Sequence, residues 1–134
     1  VQILVNIDVD DLQRAAAFYG AAFGLTRGRR LGPDVVELLG GSSPLYLLRK
    51  SAGTVPAPRT AQRRDYRRHW TPVHLDFVVA DIQAAVQQAL AAGATLEQPV
   101  TGFAWGHLAT FADPFGHGFC LVQFTESGYD AIAG

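Results

Sequence analysis

The chain has 134 residues, about half apolar (49%) and sparsely charged (17%), with a net charge of −1. A chain of this size and composition holds one folded domain's worth of core and is not a disordered tail. No apolar run approaches the ~20 residues of a membrane helix, and the single cysteine, Cys120, excludes an internal disulfide and fits a reducing, cytoplasmic setting.

The first predicted strand covers residues 3–9, apolar at alternate positions around Ile7 and Val9. Asp11 then precedes Leu12, Ala15, Ala16, Phe18, Tyr19, Ala22 and Phe23, apolar at helical spacing, with Gly24 as the stop. Three short strands follow at residues 25–31, 35–39 and 45–48, separated by Gly32-Pro33-Asp34 and by residues 40–44. Residues 51–71 carry two prolines and five arginines without apolar period. They read as a linker, with a helical turn predicted over residues 61–68. Seven of the eleven basic residues lie within residues 49–68, beside one acid, Asp65. A run of this kind attracts anions or nucleic acid. No aromatic-interleaved basic sheet or helix-turn-helix pattern accompanies it, so a solvated connector is the expectation and nucleic acid is not an expected partner.

The order then restarts. Residues 74–79 read as a strand and Asp81 heads a helix with Ile82, Ala85, Val86, Ala89, Leu90 and Ala92, closed by Gly93. Strands follow at residues 95–98, 107–112 and 119–124, with Asp113-Pro114-Phe115-Gly116 as a tight turn before the last. A shift of 70 positions superimposes Val9 on Val79, Asp11 on Asp81, Leu12 on Ile82, Gln13 on Gln83, Ala15 on Ala85 and Ala22 on Ala92. The chain is thus expected to be α+β: a βαβββ module at residues 1–50, a linker at 51–71, and a second module at 72–134 with a short tail. Two such open sheets are expected to pair into a cup with the helices outside.

Val9-Asp10-Asp11-Leu12-Gln13-Arg14, Phe18-Tyr19 and Phe23-Gly24-Leu25 resemble the opening of vicinal oxygen chelate proteins, the glyoxalase/bleomycin resistance/extradiol dioxygenase superfamily. Trp105-Gly106 and the run from Ala109 through Asp113-Pro114-Phe115-Gly116-His117 resemble the region near their C-terminus. The resemblance implies the paired βαβββ fold, commonly a homodimer, and a function among glyoxalase-type isomerases, epimerases, dioxygenases, thiol transferases and drug-sequestering resistance proteins. In metal-using relatives each half gives one ligand from its first strand and one from its last. The corresponding positions here are Leu4, Tyr46, His74 and Cys120, with Cys120 where a glutamate is usual. Leucine offers no lone pair and a neutral tyrosine is a poor ligand, which leaves His74 and Cys120 as a weak two-ligand set. No metal or other cofactor is therefore expected.

Strand alternation puts Leu4, Asn6 and Asp8 on one face, and His74, Asp76 and Val78 on the equivalent face of the second half. A carboxylate beside an imidazole suits acid–base work or anion binding, so His74 and Asp76 are the candidate catalytic pair; both are also ordinary polar residues of a strand. The expected pocket comprises Leu4, Asn6, Tyr46, His74, Asp76, Phe103, Trp105, Cys120 and Val122, with Phe103, Trp105 and Trp70 suited to stacking on a flat ligand. A lone buried cysteine is usually inert packing, and a nucleophile only beside a cation. His107 and His117 flank the turn and are expected to be exposed or to bond locally, not to act as ligands. The leading expectation is a metal-independent, dimeric binding or sequestering protein for a small, partly aromatic molecule. The alternatives are a metal-dependent lyase, isomerase or dioxygenase using His74, and an interaction module acting through residues 59–68.

Overall fold

The computed structural model describes residues 1–134 as two compact units, Val1–Arg67 and Arg68–Gly134. In the first, β1 (Val5–Val9) leads to α1 (Leu12–Phe23), then β2 (Thr26–Arg30), β3 (Val35–Leu39) and β4 (Leu45–Arg49). In the second, β5 (Leu75–Val78) leads to α2 (Ile82–Ala92), then β6 (Thr95–Phe103), β7 (Gly106–Ala112) and β8 (Gly118–Phe124), followed by a 3-10 turn at Gly128–Ala131. Each unit holds a four-stranded mixed sheet of the same order, β1-β4-β3-β2 and β5-β8-β7-β6. The first and last strands of each pair in parallel and the other neighbours are antiparallel. This is the α+β, twice-repeated βαβββ order read from the sequence.

The helix ends show why the repeat is visible in the residues. Asp11 and Asp81 each stand before a helix in extended conformation, and their side chains accept from the N–H groups of Arg14 and Ala84. Gly24 and Gly93 close the helices at φ 67° and 111°, where a Cβ would be strained. In the first unit, Leu12, Ala15, Ala16, Tyr19 and Ala22 of α1 are buried, as are Val36, Leu38, Leu45 and Leu47 of the sheet. In the second, Ile82, Val86 and Ala89 of α2 are buried with Ala109, Phe111, Phe119 and Leu121, and Phe111 stacks on Phe119.

Three local expectations change. The first strand begins at Val5, not residue 3, so Leu4 precedes the sheet and is half exposed. Strand β6 runs on from Gln98 to Phe103 past Pro99, because this edge strand absorbs two register shifts against β7. No helical turn forms over residues 61–68. Its backbone is used otherwise: the Gly53 N–H donates to the Arg64 carbonyl, the Arg64 N–H to the Thr54 carbonyl, and the Tyr66 hydroxyl to the Lys50 carbonyl.

Candidate functional site

The second unit positions the site through strand register. Asp76 on β5 lies opposite Cys120 on β8, and Cys120 lies opposite Thr110 on β7, so all three project from one face of the sheet. Phe77 and Leu121 point to the other face, the side of the buried core. The Asp113 turn fixes where β8 begins: Asp113 Oδ1 accepts from the N–H groups of Phe115 (2.8 Å) and His117 (2.9 Å), and Gly116 takes φ 86°.

His74 stands one residue ahead of β5, with its Nε2 3.2 Å from Asp76 Oδ1. Donor atoms of His74, Asp76 and Cys120 all fall within 4.8 Å of one another. Cys120 is buried, with its Sγ 3.8 Å from Thr110 Oγ1. Burial pushes its thiol above the ordinary range, Thr110 opposes, and the charge of Asp76 pushes further up. A cavity of about 180 Å³ opens here, lined by Arg68, Trp70, Thr71, His74, Thr110, Gly118, Phe119 and Cys120.

Arg68 forms the cationic wall. Its Nε and Nη2 donate to Glu97 Oε2 and Oε1 at 2.7 and 2.9 Å, and Nη1 donates to the His69 carbonyl. This fork holds the Arg68 guanidinium protonated and draws the Glu97 carboxyl below its usual range. His69 is tied to the same turn: its N–H donates to the Gly116 carbonyl, and its Nε2 lies 3.0 Å from His117 Nδ1. The His117 ring thus meets a residue distant in sequence, while its backbone N–H bonds locally to Asp113.

The expected pocket residues divide. His74 and Cys120 line the cavity and Asp76 joins them, while Val122 lies two positions along β8 and is fully buried. Phe103 and Trp105 do not line it. They stack on one another at 5.1 Å, and Trp105 packs on Phe124 and Tyr129; the aromatics at the cavity are Phe119 and Trp70, the latter 81% exposed. Leu4, Asn6 and Tyr46 belong to the first unit.

There the register Asn6–Tyr46–Glu37 mirrors Asp76–Cys120–Thr110. Its chemistry differs. The Tyr46 hydroxyl donates to Glu37 Oε2 at 2.9 Å, and Arg29 donates to both Glu37 oxygens through Nε and Nη2. The Arg29 side chain and then its backbone N–H pull the carboxyl of Glu37 down to about 2, against the opposing effect of burial. Leu4 has no donor and Tyr46 is engaged, so the four positions implied for a metal shared by both halves do not make a fitting ligand set. Sequence reasoning missed Glu37 and Arg68. Glu37 is the one polar residue of an otherwise apolar strand, a signal that was passed over, and Arg68 sits inside an arginine run.

The basic segment is largely neutralised in place: Arg49 pairs with Asp34, Arg64 with Asp8, Arg67 with Asp65 and Arg68 with Glu97. No helix is long and apolar enough to cross a membrane.

A family model described as "Glyoxalase-like domain" matches residues 4–122. The chain belongs to this family. Anthracycline biosynthesis protein DnrV of Streptomyces peucetius is 31% identical over 133 residues, covering 97% of this chain and 43% of DnrV. This chain therefore spans less than half of that relative. An uncharacterised protein of Mycobacterium bovis is 34% identical over 127 residues, 88% of this chain and 80% of its own length. Among solved structures, the genomically encoded fosfomycin resistance protein FosX of Listeria monocytogenes shares the fold with a TM-score of 0.70 at 17% identity, over 95% of each chain. The glyoxalase-like chain is thus related to a protein named for anthracycline biosynthesis and shares its fold with one named for fosfomycin resistance.

Proposed function

We propose that this glyoxalase-like chain binds a small, planar, oxygen-bearing aromatic molecule in the cavity of the second unit, holding or sequestering it. The observation that carries this reading is the wall composition: a guanidinium, an exposed indole, a phenyl ring, an imidazole, two threonines and a thiol around about 180 Å³. A dry cavity of about 150 Å³ accommodates one benzene-sized ring, so the site takes one ring and leaves the rest of a larger ligand outside. The indole face favours a flat ring, and Arg68 and His74 favour oxygen substituents on it. Kinship with a protein named for anthracycline biosynthesis supports a polyketide-like aromatic over an aliphatic ligand. A homodimer, as is common in the superfamily, is part of the same proposal.

The test is calorimetric titration with a hydroxyanthraquinone and with a saturated carboxylate of the same charge. The aromatic probe is expected to bind and the saturated one not. Trp70→Ala should weaken binding about three- to tenfold, the scale of one aromatic contact. Equal affinity for both probes, or for wild type and Trp70→Ala, overturns the proposal. A second reading, an enzyme using His74 as acid or base, is favoured by the 3.2 Å His74–Asp76 pair. It predicts that turnover of an identified substrate collapses in His74→Ala; unchanged turnover removes it.

A further inference from the structure

We propose that the His69–His117 imidazole pair is an acid-sensitive latch that seats Trp70 and Thr71 at the cavity of the second unit, so that acid loosens the hold on a bound ligand. The proposal rests on the binding reading for the ligand it controls. The latch itself stands on contacts that reading does not use.

Residues 68–74 form neither helix nor strand, so their place depends on individual bonds rather than on a ladder. Arg68, Trp70 and Thr71 line the cavity, and His69 sits among them bonded to the Asp113 turn. Its backbone N–H donates to the Gly116 carbonyl at 3.1 Å, and its Nε2 lies 3.0 Å from His117 Nδ1, with the rings nearly perpendicular at 86°. His117 is a firm anchor: its N–H donates to Asp113 Oδ1 at 2.9 Å and its carbonyl accepts from the Asp113 N–H at 2.8 Å. Trp70, 81% exposed, has little packing of its own and takes its position from its neighbour.

The chemistry of the pair makes it sensitive to acid. A bond between two ring nitrogens needs one N–H and one lone pair. The pair keeps that bond with no added proton or with one. With two, both facing nitrogens carry N–H and two positive charges stand side by side. Histidine is the side chain that gains its charge between about pH 8 and 5. Of the charged groups nearby, Arg68 opposes the second proton and Asp113 favours it, while Glu97 of β6 is neutralised by Arg68. Strand β8 and helix α2 carry no charged side chain, and His107 of β7 lies at the far end of the β7–β8 ladder. The Arg68–Glu97 fork survives acid, because it draws the Glu97 carboxyl below its usual range. Acid therefore releases residues 69–71 and leaves Arg68 in place, so the indole contact is lost before the cationic one.

The experiment follows the amide of residue 69 by hydrogen exchange in the full chain at about pH 7.5 and about pH 5, expressed as a protection factor so that the intrinsic pH dependence cancels. Protection should fall about fivefold on acidification, the scale of one hydrogen bond. The same measurement is made on His69→Gln and His117→Asn, checked for fold by circular dichroism. Each amide places a nitrogen and an oxygen where the ring nitrogen stood, so it bonds to either form of the remaining imidazole, and protection should stay level. Hydroxyanthraquinone affinity should fall about three- to tenfold more in wild type than in either variant; the probe's own titration is common to all three and cancels in the ratio. Unchanged protection in wild type, or an equal fall in both variants, overturns the latch. A fall in protection with no matching loss of probe affinity overturns its control of the site. Absence of probe binding at either pH removes the binding reading and with it that control, whereas the latch is still decided by exchange.

Discussion

Gly118 opens β8 directly beneath the guanidinium of Arg68, and Gly118→Ala probes how firmly that cavity wall is set. A Cβ at Gly118 would fall 2.7 Å from Arg68 Nη2 and 3.2 Å from Cζ and Nη1. Ordinary contacts need about 3.5 Å, so the guanidinium must retreat by about 0.8 Å. Its bonds to Glu97, at 2.7 and 2.9 Å, would then exceed the ~3.2 Å limit of good geometry unless Glu97 follows. Charge-assisted hydrogen bonds contribute about 1.5–3 kcal/mol when shielded. With the Arg68 and Glu97 side chains 41% and 30% exposed, solvent screening brings the expected loss to about 1 kcal/mol. For a chain of this length that is a fall of about 3–5 °C in Tm. The assay is a double-mutant cycle by thermal unfolding, with Gly118→Ala, Arg68→Ala and the pair. Once Arg68 is gone the added methyl meets no guanidinium, so Gly118→Ala should cost almost nothing in that background. The same loss in both backgrounds would refute the contact and the pinned position of Arg68.

Two further outcomes follow from the charges. Glu37, held at about 2 by Arg29, is ionised in the folded chain well below the pH at which it protonates in the unfolded one. Its contribution is therefore in place above the ordinary carboxylate pKa of about 4.3 and lost as pH falls from there toward 2. Urea midpoints should show Glu37→Gln less stable than wild type at pH 7, with the gap narrowing by about pH 2.5; an unchanged gap contradicts this. Cys120, pushed up by burial and by Asp76, should react slowly with iodoacetamide at pH 7 and accelerate only in alkaline buffer. Asp76→Asn should speed the reaction a few-fold, measured by mass spectrometry, and no change would remove Asp76 as a cause.

The fold was legible because the signals that specify it are local. Asp11 and Asp81 cap, Gly24 and Gly93 stop, and strands alternate between them, so the helices fall at their expected residues. Errors came where tertiary pairing overrides local punctuation. Pro99 reads as a strand end, yet β6 continues through it because an edge strand tolerates a missing donor and a shifted register. Residues 61–68 have helical composition in part, but Arg64 and Tyr66 are drawn into bonds with residues 50–55 and Asp8. At the site, His74 just ahead of β5 and Asp76 within it are two residues apart and could be paired by spacing alone. Their union with Cys120 depends on which residue of β8 faces Asp76; the Asp113 turn fixes where β8 begins, and the resemblance built on that turn already put Cys120 in the expected pocket. Trp70 was separable from Trp105 only once the latter was seen stacked among Phe103, Phe124 and Tyr129.

The two halves use one register for opposite ends. In the first, the aligned positions hold Asn6, Tyr46 and Glu37, and every strong acceptor of Glu37 is taken by Arg29 and Tyr46. A carboxylate satisfied in this way is held ionised and is a poor proton acceptor for anything else. In the second, the same positions hold Asp76, Cys120 and Thr110, joined by His74, and the contacts between them are longer: 3.2 Å between His74 and Asp76 and 3.8 Å for the thiol. Unsaturated donors beside an open cavity retain capacity for an added partner, whereas a closed network has none to give. Chemical capacity in this glyoxalase-like chain is therefore concentrated in the second unit. Substitutions at His74 or Asp76 should change what the chain binds while leaving its stability nearly intact, and substitutions at Glu37 should do the reverse.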